Sequence, residues 1–393
     1  MVGRTDAWHE TLDHLSRVFR SGSEERRSAK TTINCLRQGS PPRDDVAKMT
    51  VGMEGVRAVF ASKVQMAKSG GSAFTLVNGV YGSGKSHCLC LLREMAFEQD
   101  CLVSFVTLSP RECPLCDLGV VYARIARSIE GRSECQLRSL QDVVESWAAR
   151  IRSSREDHLE QVRQAIRSLH PDFRTILTEY FSAGCSDRVE LAGRWLIGDD
   201  STKRTAKALN VQLRATDEDA LMMLNELGKL GRAIGFRGLV VLLDEAEAIP
   251  SYRGSSRQQH CYENLCRVIQ KSGRVPYCYF VYATTPLFFH KCHGRVPISE
   301  TSQSVLQPPQ LLQANLAQLG RIVRDLYVVG EAWQGWHSCI ADDQVDRCVE
   351  KYTGAHDWNM RPRGFVRSLV SALDICATNC EKRLSEVFSL VPD

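Results

Sequence analysis

The chain has 393 residues, of which 43% are hydrophobic and 24% are charged, and its formal net charge at pH 7 is +4. This composition excludes a disordered chain and predicts one large globular domain with one or two smaller modules. The small net charge argues neither for nor against nucleic acid binding. Because no apolar run approaches the ~18–20 residues of a membrane-spanning helix and the N-terminus lacks the apolar core of a signal peptide, we expect a cytoplasmic protein without a membrane partner.

The sixteen cysteines are scattered along the chain. Cys113-Pro-Leu-Cys116 has the spacing of half a zinc site, but no second pair with that spacing follows. We therefore interpret the cysteines as reduced thiols that pack as small hydrophobic groups, and zinc is the weaker alternative.

Residues 1–35 have helical periodicity, with apolar positions at Leu12, Leu15, Val18 and Phe19. The pattern predicts an amphipathic helix, a polar turn at Ser21-Gly-Ser23 and a second helix. We expect this segment to pack on the main domain, and a basic arm for DNA is the weaker alternative. Gly39 and two prolines then break the helix.

A strand, a glycine-rich loop and a helix follow one another from Phe74 to Leu92, with Gly79-Val-Tyr-Gly-Ser-Gly-Lys-Ser86 as the loop. This order is that of a phosphate-binding P-loop, whose backbone N–H groups converge on phosphate oxygens. The amine of Lys85 would reach the β- and γ-phosphates, and the Ser86 hydroxyl would bind Mg²⁺. The predicted nucleotide-binding residues of the loop are Gly79, Val80, Tyr81, Gly82, Ser83, Gly84, Lys85, Ser86 and His87.

A small-residue turn, Thr50-Val-Gly-Met53, precedes the helix ahead of this strand. We predict that Val51 and Gly52 hold the nucleobase through backbone contacts, and an ordinary helix cap at Thr50 is the alternative. After the P-loop, residues 101–108 read as a second strand and 118–129 as a helix, and residues from about 130 to 235 are almost wholly helical in pattern.

Five apolar residues, 239–243, form a strand buried on both faces and end at Asp244-Glu245. Asp244 is the predicted Mg²⁺ ligand, and Glu245 is placed to orient and polarise the attacking water. Glu247 is more simply a solvated helix residue. Together with the P-loop, this acidic pair favours nucleotide hydrolysis over binding alone.

A further strand, residues 277–283, ends at Thr284-Thr285. Either threonine could sense the γ-phosphate or simply begin a turn. In the basic loop that follows, Arg295 is our candidate for an arginine that reaches a neighbouring subunit's nucleotide, in preference to Arg274. Helices recur after Gln307-Pro-Pro-Gln310, and Arg363 begins the last long one, where it either folds over bound phosphates or is solvated.

These residues resemble those of the AAA+ ATPases with Walker A and Walker B motifs and, more narrowly, those of the ATP-binding proteins of bacteriophage-exclusion (BREX) defence systems. The narrower resemblance depends on the order of six segments: 33–43, 50–54, 79–87, 195–198, 235–247 and 361–367.

The resemblance implies an α/β fold, with an AAA+ P-loop NTPase core of αβα layers and a parallel sheet, a large helical insertion and a C-terminal helical lid. It also implies Thr284 or Thr285 as sensor one, Arg363 as the sensor-two arginine, ATP rather than GTP, and assembly on nucleotide or on DNA. The expected domains are an N-terminal helical segment (1–48), the core (49–300, with the insertion at about 130–235) and the lid (301–393).

We therefore expect a Mg²⁺-dependent ATPase that works as a motor or switch in defence against phage, as a homo-oligomer with other defence proteins. Two alternatives stay open from the sequence. One is an ATP-gated DNA-binding or loading protein of the initiator or transposition-regulator type, and the other is a signalling scaffold that exchanges ATP for ADP without nucleic acid.

Overall fold

The computed structural model describes residues 6–132, 137–153, 158–182, 186–199, 202–245, 249, 253–272, 274–286, 288, 304–331, 337–355, 362–379 and 381–390. The chain divides into two compact units. The sheet unit comprises Glu54–Val80 and Leu92–Pro308, and the helical unit comprises Met1–Met53, Tyr81–Leu91 and Pro309–Asp393. The predicted domains 1–48, 49–300 and 301–393 stay a prediction.

Strands and helices are numbered here in chain order. The strands are β1 (Ser72–Asn78), β2 (Leu102–Thr107), β3 (Ile129–Glu130), β4 (Leu239–Asp244), β5 (Cys278–Thr284) and β6 (Val305–Leu306). The helices are α1 (Asp6–Arg37), α2 (Glu54–Lys68), α3 (Lys85–Glu98), α4 (Leu118–Arg127), α5 (Leu140–Arg152), α6 (His158–Ile166), α7 (Pro171–Ser182), α8 (Ser186–Leu196), α9 (Lys203–Leu209), α10 (Ala220–Ile234), α11 (Ser255–Ser272), α12 (Gln313–Glu331), α13 (Asp342–Ala355), α14 (Pro362–Thr378) and α15 (Leu384–Phe388).

The sheet has the strand order β3-β2-β4-β5-β1-β6. Its pairs are parallel except for the short antiparallel edge strand β3. Parallel neighbours require crossover connections, which the helices between the strands supply. Every residue of β4 and of β5 is buried, as expected for central strands with continuous apolar sequences.

The helices α5–α10 lie between β3 and β4 in the chain. Their core includes Trp195, which is fully buried, meets Phe173 edge-to-face at 5.3 Å between ring centroids and donates its indole N–H to the Leu213 carbonyl. These insertion residues belong to the same apolar core as the strands of the sheet. This arrangement confirms the predicted fold class, an α/β P-loop core with a parallel sheet, a large helical insertion and C-terminal helices.

The helical unit packs α1 and α12–α15 around a second apolar core. Arg37 of α1 joins three of these helices, because its guanidinium donates to Asp374 of α14 at 2.7 Å and to Glu331 of α12 at 2.9 Å. The hydrogen bond to Asp374 is the main cause of a raised pKa for Arg37. No helix in the described ranges is both long enough and apolar enough to cross a membrane.

Two local predictions are wrong. The polar turn at residues 21–23 does not form, because α1 is one helix from Asp6 to Arg37. A glycine inside a helix costs only about 1 kcal/mol, and α1 packs closely along α12, where a Cβ on Gly330 would lie 2.8 Å from the Lys30 nitrogen. The predicted helix 118–129 ends earlier, at Arg127, since Ile129 and Glu130 pair with β2 instead.

Candidate nucleotide-binding site

Three neighbouring strands of the sheet unit, β4, β5 and β1, end in polar residues at one edge of the sheet. Their last residues are Asp244, Thr284 and Asn78. Asn78 pairs in register with Thr284, and the next residue, Gly79, donates its N–H to the Thr284 carbonyl at 3.1 Å. The first residues of the glycine loop, Gly79 and Val80, therefore leave β1 beside the end of β5.

The backbone changes direction sharply between the two residues of the acidic pair. Asp244 is 8% exposed, whereas Glu245 is exposed and has a φ of 59°, in the left-handed region that favours glycine. The Glu245 N–H donates to Asp244 Oδ1 at 2.9 Å. This bond fixes the orientation of the Asp244 carboxylate while the chain turns Glu245 towards solvent.

The two threonines at the end of β5 are not equivalent. Thr284 is fully buried, and its hydroxyl makes no hydrogen bond within the part of the chain that the structure describes. Thr285 is half-buried, and its carbonyl accepts from Phe288 N–H at 2.9 Å, as in a turn. Since a buried hydroxyl without a partner is costly, Thr284 is the better candidate for contact with a ligand, and Thr285 fits the turn alternative.

The other P-loop residues, Tyr81 to His87, belong to the helical unit. Gly82 and Gly84 have φ values of 81° and 95°, which a side chain would disfavour. The helix α3 begins at Lys85, and Cys88 N–H makes its first bond to the Gly84 carbonyl at 2.9 Å. The first N–H groups of a helix point outward along its axis, and this geometry suits a helix start to phosphate oxygens.

The turn before α2 lies against the start of α3, within the helical unit. The Thr50 hydroxyl donates to the Val46 carbonyl at 2.8 Å, so it accepts the 2.9 Å hydrogen bond from His87 Nε2. Met53 lies beside the loop, since a Cβ on Gly84 would be 3.7 Å from Met53 Cε. Because α2 begins only at Glu54, the alternative of a helix cap at Thr50 is wrong.

Val51 and Gly52, the predicted base-binding residues, lie in this turn. Val51 is buried, and Gly52 is half-buried beside the carboxamide of Asn315. A Cβ on Gly52 would lie 3.2 Å from Asn315 Nδ2. The turn that contacts the P-loop helix therefore also lies against the Asn315 carboxamide. Nothing in the sequence pattern indicates this neighbour.

Arg363, the predicted sensor-two arginine, contacts the P-loop. It lies in the first turn of α14, and its Nη1 donates to the Tyr81 hydroxyl at 2.6 Å. The guanidinium carbon lies 4.8 Å from the centre of the Tyr81 ring. Arg363 is exposed to solvent, as the alternative expects, but its guanidinium also contacts Tyr81 of the glycine loop. The sequence pattern predicts Tyr81 as a residue of the loop and indicates nothing about this contact of its side chain.

Two residues considered above lie outside the described residues: Arg295 and Glu247. Arg274, the alternative to Arg295, is exposed. Arg295 therefore stays a prediction.

The two residues predicted to bind Mg²⁺ carry the kind of ligand atoms that this ion prefers. Asp244 and Ser86 offer a carboxylate and a hydroxyl, the hard oxygen ligands that suit Mg²⁺, which is commonly held by one or two protein groups together with phosphates. Within the described ranges, no group of three or more His, Cys, Asp or Glu side chains could hold a metal alone. Burial raises the pKa of the Cys113 thiol to about 11, and the zinc alternative at Cys113 and Cys116 stays a prediction.

The family model of the BREX system ATP-binding protein BrxC/D matches residues 25–391. The chain belongs to this family. The match confirms the resemblance to the BREX ATP-binding proteins and extends over nearly the whole chain, including the P-loop, the acidic strand end and Arg363.

Among solved structures, the chain is similar to the Aeropyrum pernix ORC1 protein in complex with DNA, with a TM-score of 0.41 and 17% sequence identity. The likeness covers 88% of this chain and 66% of the ORC1 chain, so this chain spans slightly less than two thirds of that protein's length. No curated protein matches the sequence. Membership of the BrxC/D family supports ATP binding.

Proposed function

We propose that the protein is a Mg²⁺-dependent AAA+ ATPase that hydrolyses ATP to ADP and phosphate and acts as a nucleotide-driven motor or switch in BREX defence, in the cytoplasm. The observation that carries the proposal is the edge of the sheet unit where β4, β5 and β1 end side by side. One strand brings the acidic pair, the next a buried hydroxyl, and the third the start of the P-loop.

The P-loop holds the triphosphate in this proposal. Backbone N–H groups of residues 79–86 donate to phosphate oxygens, and the Lys85 amine neutralises charge on the β- and γ-phosphates. Ser86 and Asp244 would hold Mg²⁺, which when bound offsets the negative charge of the phosphates. Val51 and Gly52 hold the base, and membership of an ATP-binding family favours adenine.

Glu245 supplies the base for the attacking water. Its carboxylate follows the buried strand end and is exposed, so it can orient a water and accept its proton. Thr284 offers its hydroxyl to the γ-phosphate or to that water. Positioning and charge stabilisation account for most of the rate, as is usual in phosphoryl transfer.

Steady-state ATP turnover by Glu245→Gln tests the catalytic assignment. We expect turnover to fall by at least about a hundredfold while a fluorescent ATP analogue still binds. Lys85→Ala is the matched variant, which should lose nucleotide binding as well. Normal turnover by Glu245→Gln would exclude Glu245 as the base, and normal ATP binding by Lys85→Ala would exclude the P-loop as the site.

We further propose that the ATPase assembles as a homo-oligomer when nucleotide binds. In this assembly Arg295 reaches the nucleotide of a neighbouring copy. Residues 301–393 act as a lid whose position depends on the bound nucleotide through Arg363. Mass measurement with ADP and with a non-hydrolysable ATP analogue tests the assembly. A monomer under both conditions would contradict it, and Arg295→Ala should lower turnover without lowering ATP affinity if the finger assignment is right.

Partners among other defence proteins and DNA stay predictions. Salt-dependent DNA binding that requires ATP would favour the loading-protein alternative. Assembly that changes with nucleotide and ignores DNA would favour the signalling scaffold.

A further inference from the structure

The guanidinium of Arg363 lies against the Tyr81 side chain and against Gly39, and the proposed mechanism gives neither of them a role. The Tyr81 side chain provides both a hydroxyl acceptor at 2.6 Å from Nη1 and a ring face at 4.8 Å from the guanidinium carbon. On another side lies Gly39, where an added Cβ would be only 2.9 Å from Arg363 Nε. Both contacts are within the helical unit.

Arg363 has no carboxylate partner among the residues that the structure describes, unlike Arg37 or Arg321 on neighbouring helices, which bind Asp374 and Asp346. Its one side-chain hydrogen bond in those ranges is to the neutral hydroxyl of Tyr81. The cation is thus fixed in space but not neutralised. A fixed, uncompensated guanidinium beside a phosphate-binding loop is suited to an anion.

The backbone conformation of Gly39 favours glycine at this position beside Arg363. It has a φ of +69° in the turn that ends α1, where Gly39 N–H donates to the Leu36 carbonyl at 2.9 Å and Ser40 N–H to the Cys35 carbonyl at 3.0 Å. A residue with a Cβ would be strained in this conformation and would also displace the guanidinium. The turn at residues 36–40 therefore leaves room for Arg363 at a defined place.

We propose that Tyr81 and Gly39 are positioning residues that aim Arg363 at the terminal phosphate of the bound nucleotide, and that they thereby set the preference for a nucleoside triphosphate over a diphosphate. This inference rests on the proposed function. A long, flexible arginine loses side-chain entropy when it binds phosphate, and holding it in advance reduces that loss. The hydroxyl engages Nη1 and leaves the second terminal nitrogen, Nη2, for a phosphate oxygen.

The test is the ratio of the two dissociation constants, for ADP and for a non-hydrolysable ATP analogue, measured by calorimetry with Mg²⁺. Tyr81→Phe keeps the ring and removes the hydroxyl, and we expect the preference for the ATP analogue to fall about threefold to tenfold. The affinity for ADP should change little, because ADP lacks the phosphate that Arg363 contacts. Gly39→Ala should shift the ratio in the same direction.

Two further variants separate positioning from general disturbance. In an Arg363→Ala background, Tyr81→Phe should have no additional effect on the ratio, since the residue that it positions is gone. Arg367→Ala removes an exposed arginine one turn further along α14 and should leave the ratio unchanged. Thermal unfolding of each variant identifies loss of fold, which would affect both nucleotides alike.

An unchanged ratio in Tyr81→Phe overturns the inference, and so does an increased ratio, which would mean that Tyr81 competes with the phosphate for Arg363. Equal effects of Tyr81→Phe with and without Arg363 overturn it as well. These outcomes are distinct from failure of the proposed function, which would appear as nucleotide binding that is unaffected by Lys85→Ala.

Discussion

The Thr50 hydroxyl accepts a hydrogen bond from His87 Nε2 at 2.9 Å and donates its own hydrogen bond to the Val46 carbonyl. This relationship joins the residue after the P-loop serine to the turn that we assign to the nucleobase. Within the helical unit, the two ends of the proposed nucleotide site are therefore linked by a directional contact.

Thr50→Val should weaken ATP binding about threefold to tenfold, because the isosteric side chain cannot accept from His87 and the turn loses its anchor on α3. Fluorescence titration with an ATP analogue measures the change. Thr378→Val is a matched control, since among the described residues the Thr378 hydroxyl bonds only to the Ile375 carbonyl, at the exposed end of α14. Equal affinities for wild type and Thr50→Val would show that the link does not support binding.

Thr284→Val should separate stability from activity. Removing a buried hydroxyl that has no partner in the described residues should leave the free energy of unfolding unchanged or raise it by about 1 kcal/mol. ATP turnover should fall about tenfold or more if the hydroxyl contacts the γ-phosphate or the water. Chemical denaturation and turnover assays measure the two quantities.

Thr285→Val is the neighbouring control, and we expect turnover close to that of the wild type. A variant at 285 that is slower than the one at 284 would reverse the sensor assignment.

Arg37→Met should destabilise the helical unit by about 1–2 kcal/mol, because it keeps the aliphatic stem but removes the charged hydrogen bonds to Asp374 and Glu331. The value is modest since the Arg37 and Asp374 side chains are 30% and 38% exposed and solvent screens their attraction. Denaturant titration measures it. Lys30→Met removes a 56% exposed amine 3.8 Å from the same Glu331 and should change stability by less than about 0.5 kcal/mol.

The stability of the helical unit should also depend on acid pH through Asp342. Its hydrogen bond from Arg324 is the main cause of a pKa below the ordinary value of 3.8, and Arg321 adds to the shift. A carboxylate whose pKa is lower in the folded state contributes stability above its unfolded pKa and loses it as pH falls through the folded pKa. Denaturation at neutral pH and below pH 3.8 should therefore differ less in Asp342→Asn than in the wild type.

Asp343→Asn is the control, since it removes the adjacent acid from the same helix turn without touching Arg324. The same loss of acid dependence in both variants would mean that the helix start, and not the pair with Arg324, causes it.

The sequence predicted the parts of this protein that local patterns determine. The five apolar residues before Asp244 are buried in a central strand, and the glycine spacing of 79–86 is followed by a helix at Lys85, as expected. Strands β3 and β6 have two residues each. They exist only through pairing with distant strands, so no pattern within them could have indicated them.

The contacts of the candidate site were harder to predict than its motifs. Tyr81 and Arg363 are 282 positions apart in the chain, and neither periodicity nor composition links them. Gly39 was visible only as a helix breaker, because its relation to Arg363 depends on how α14 packs. The helix α1 runs through Ser21-Gly-Ser23 although residues 22–27 are exposed, because a glycine inside a helix costs only about 1 kcal/mol.

Glu245 has a backbone conformation that non-glycine residues rarely adopt, at a cost of about 1–3 kcal/mol. Such a conformation persists only while the surrounding strand end holds it, and the Asp244 carboxylate is one of the groups that does so. A moderate rise in temperature should therefore let the backbone at Glu245 relax and move its carboxylate out of position before the sheet unfolds. An enzyme of this kind would lose turnover reversibly at temperatures where its circular dichroism spectrum is still native.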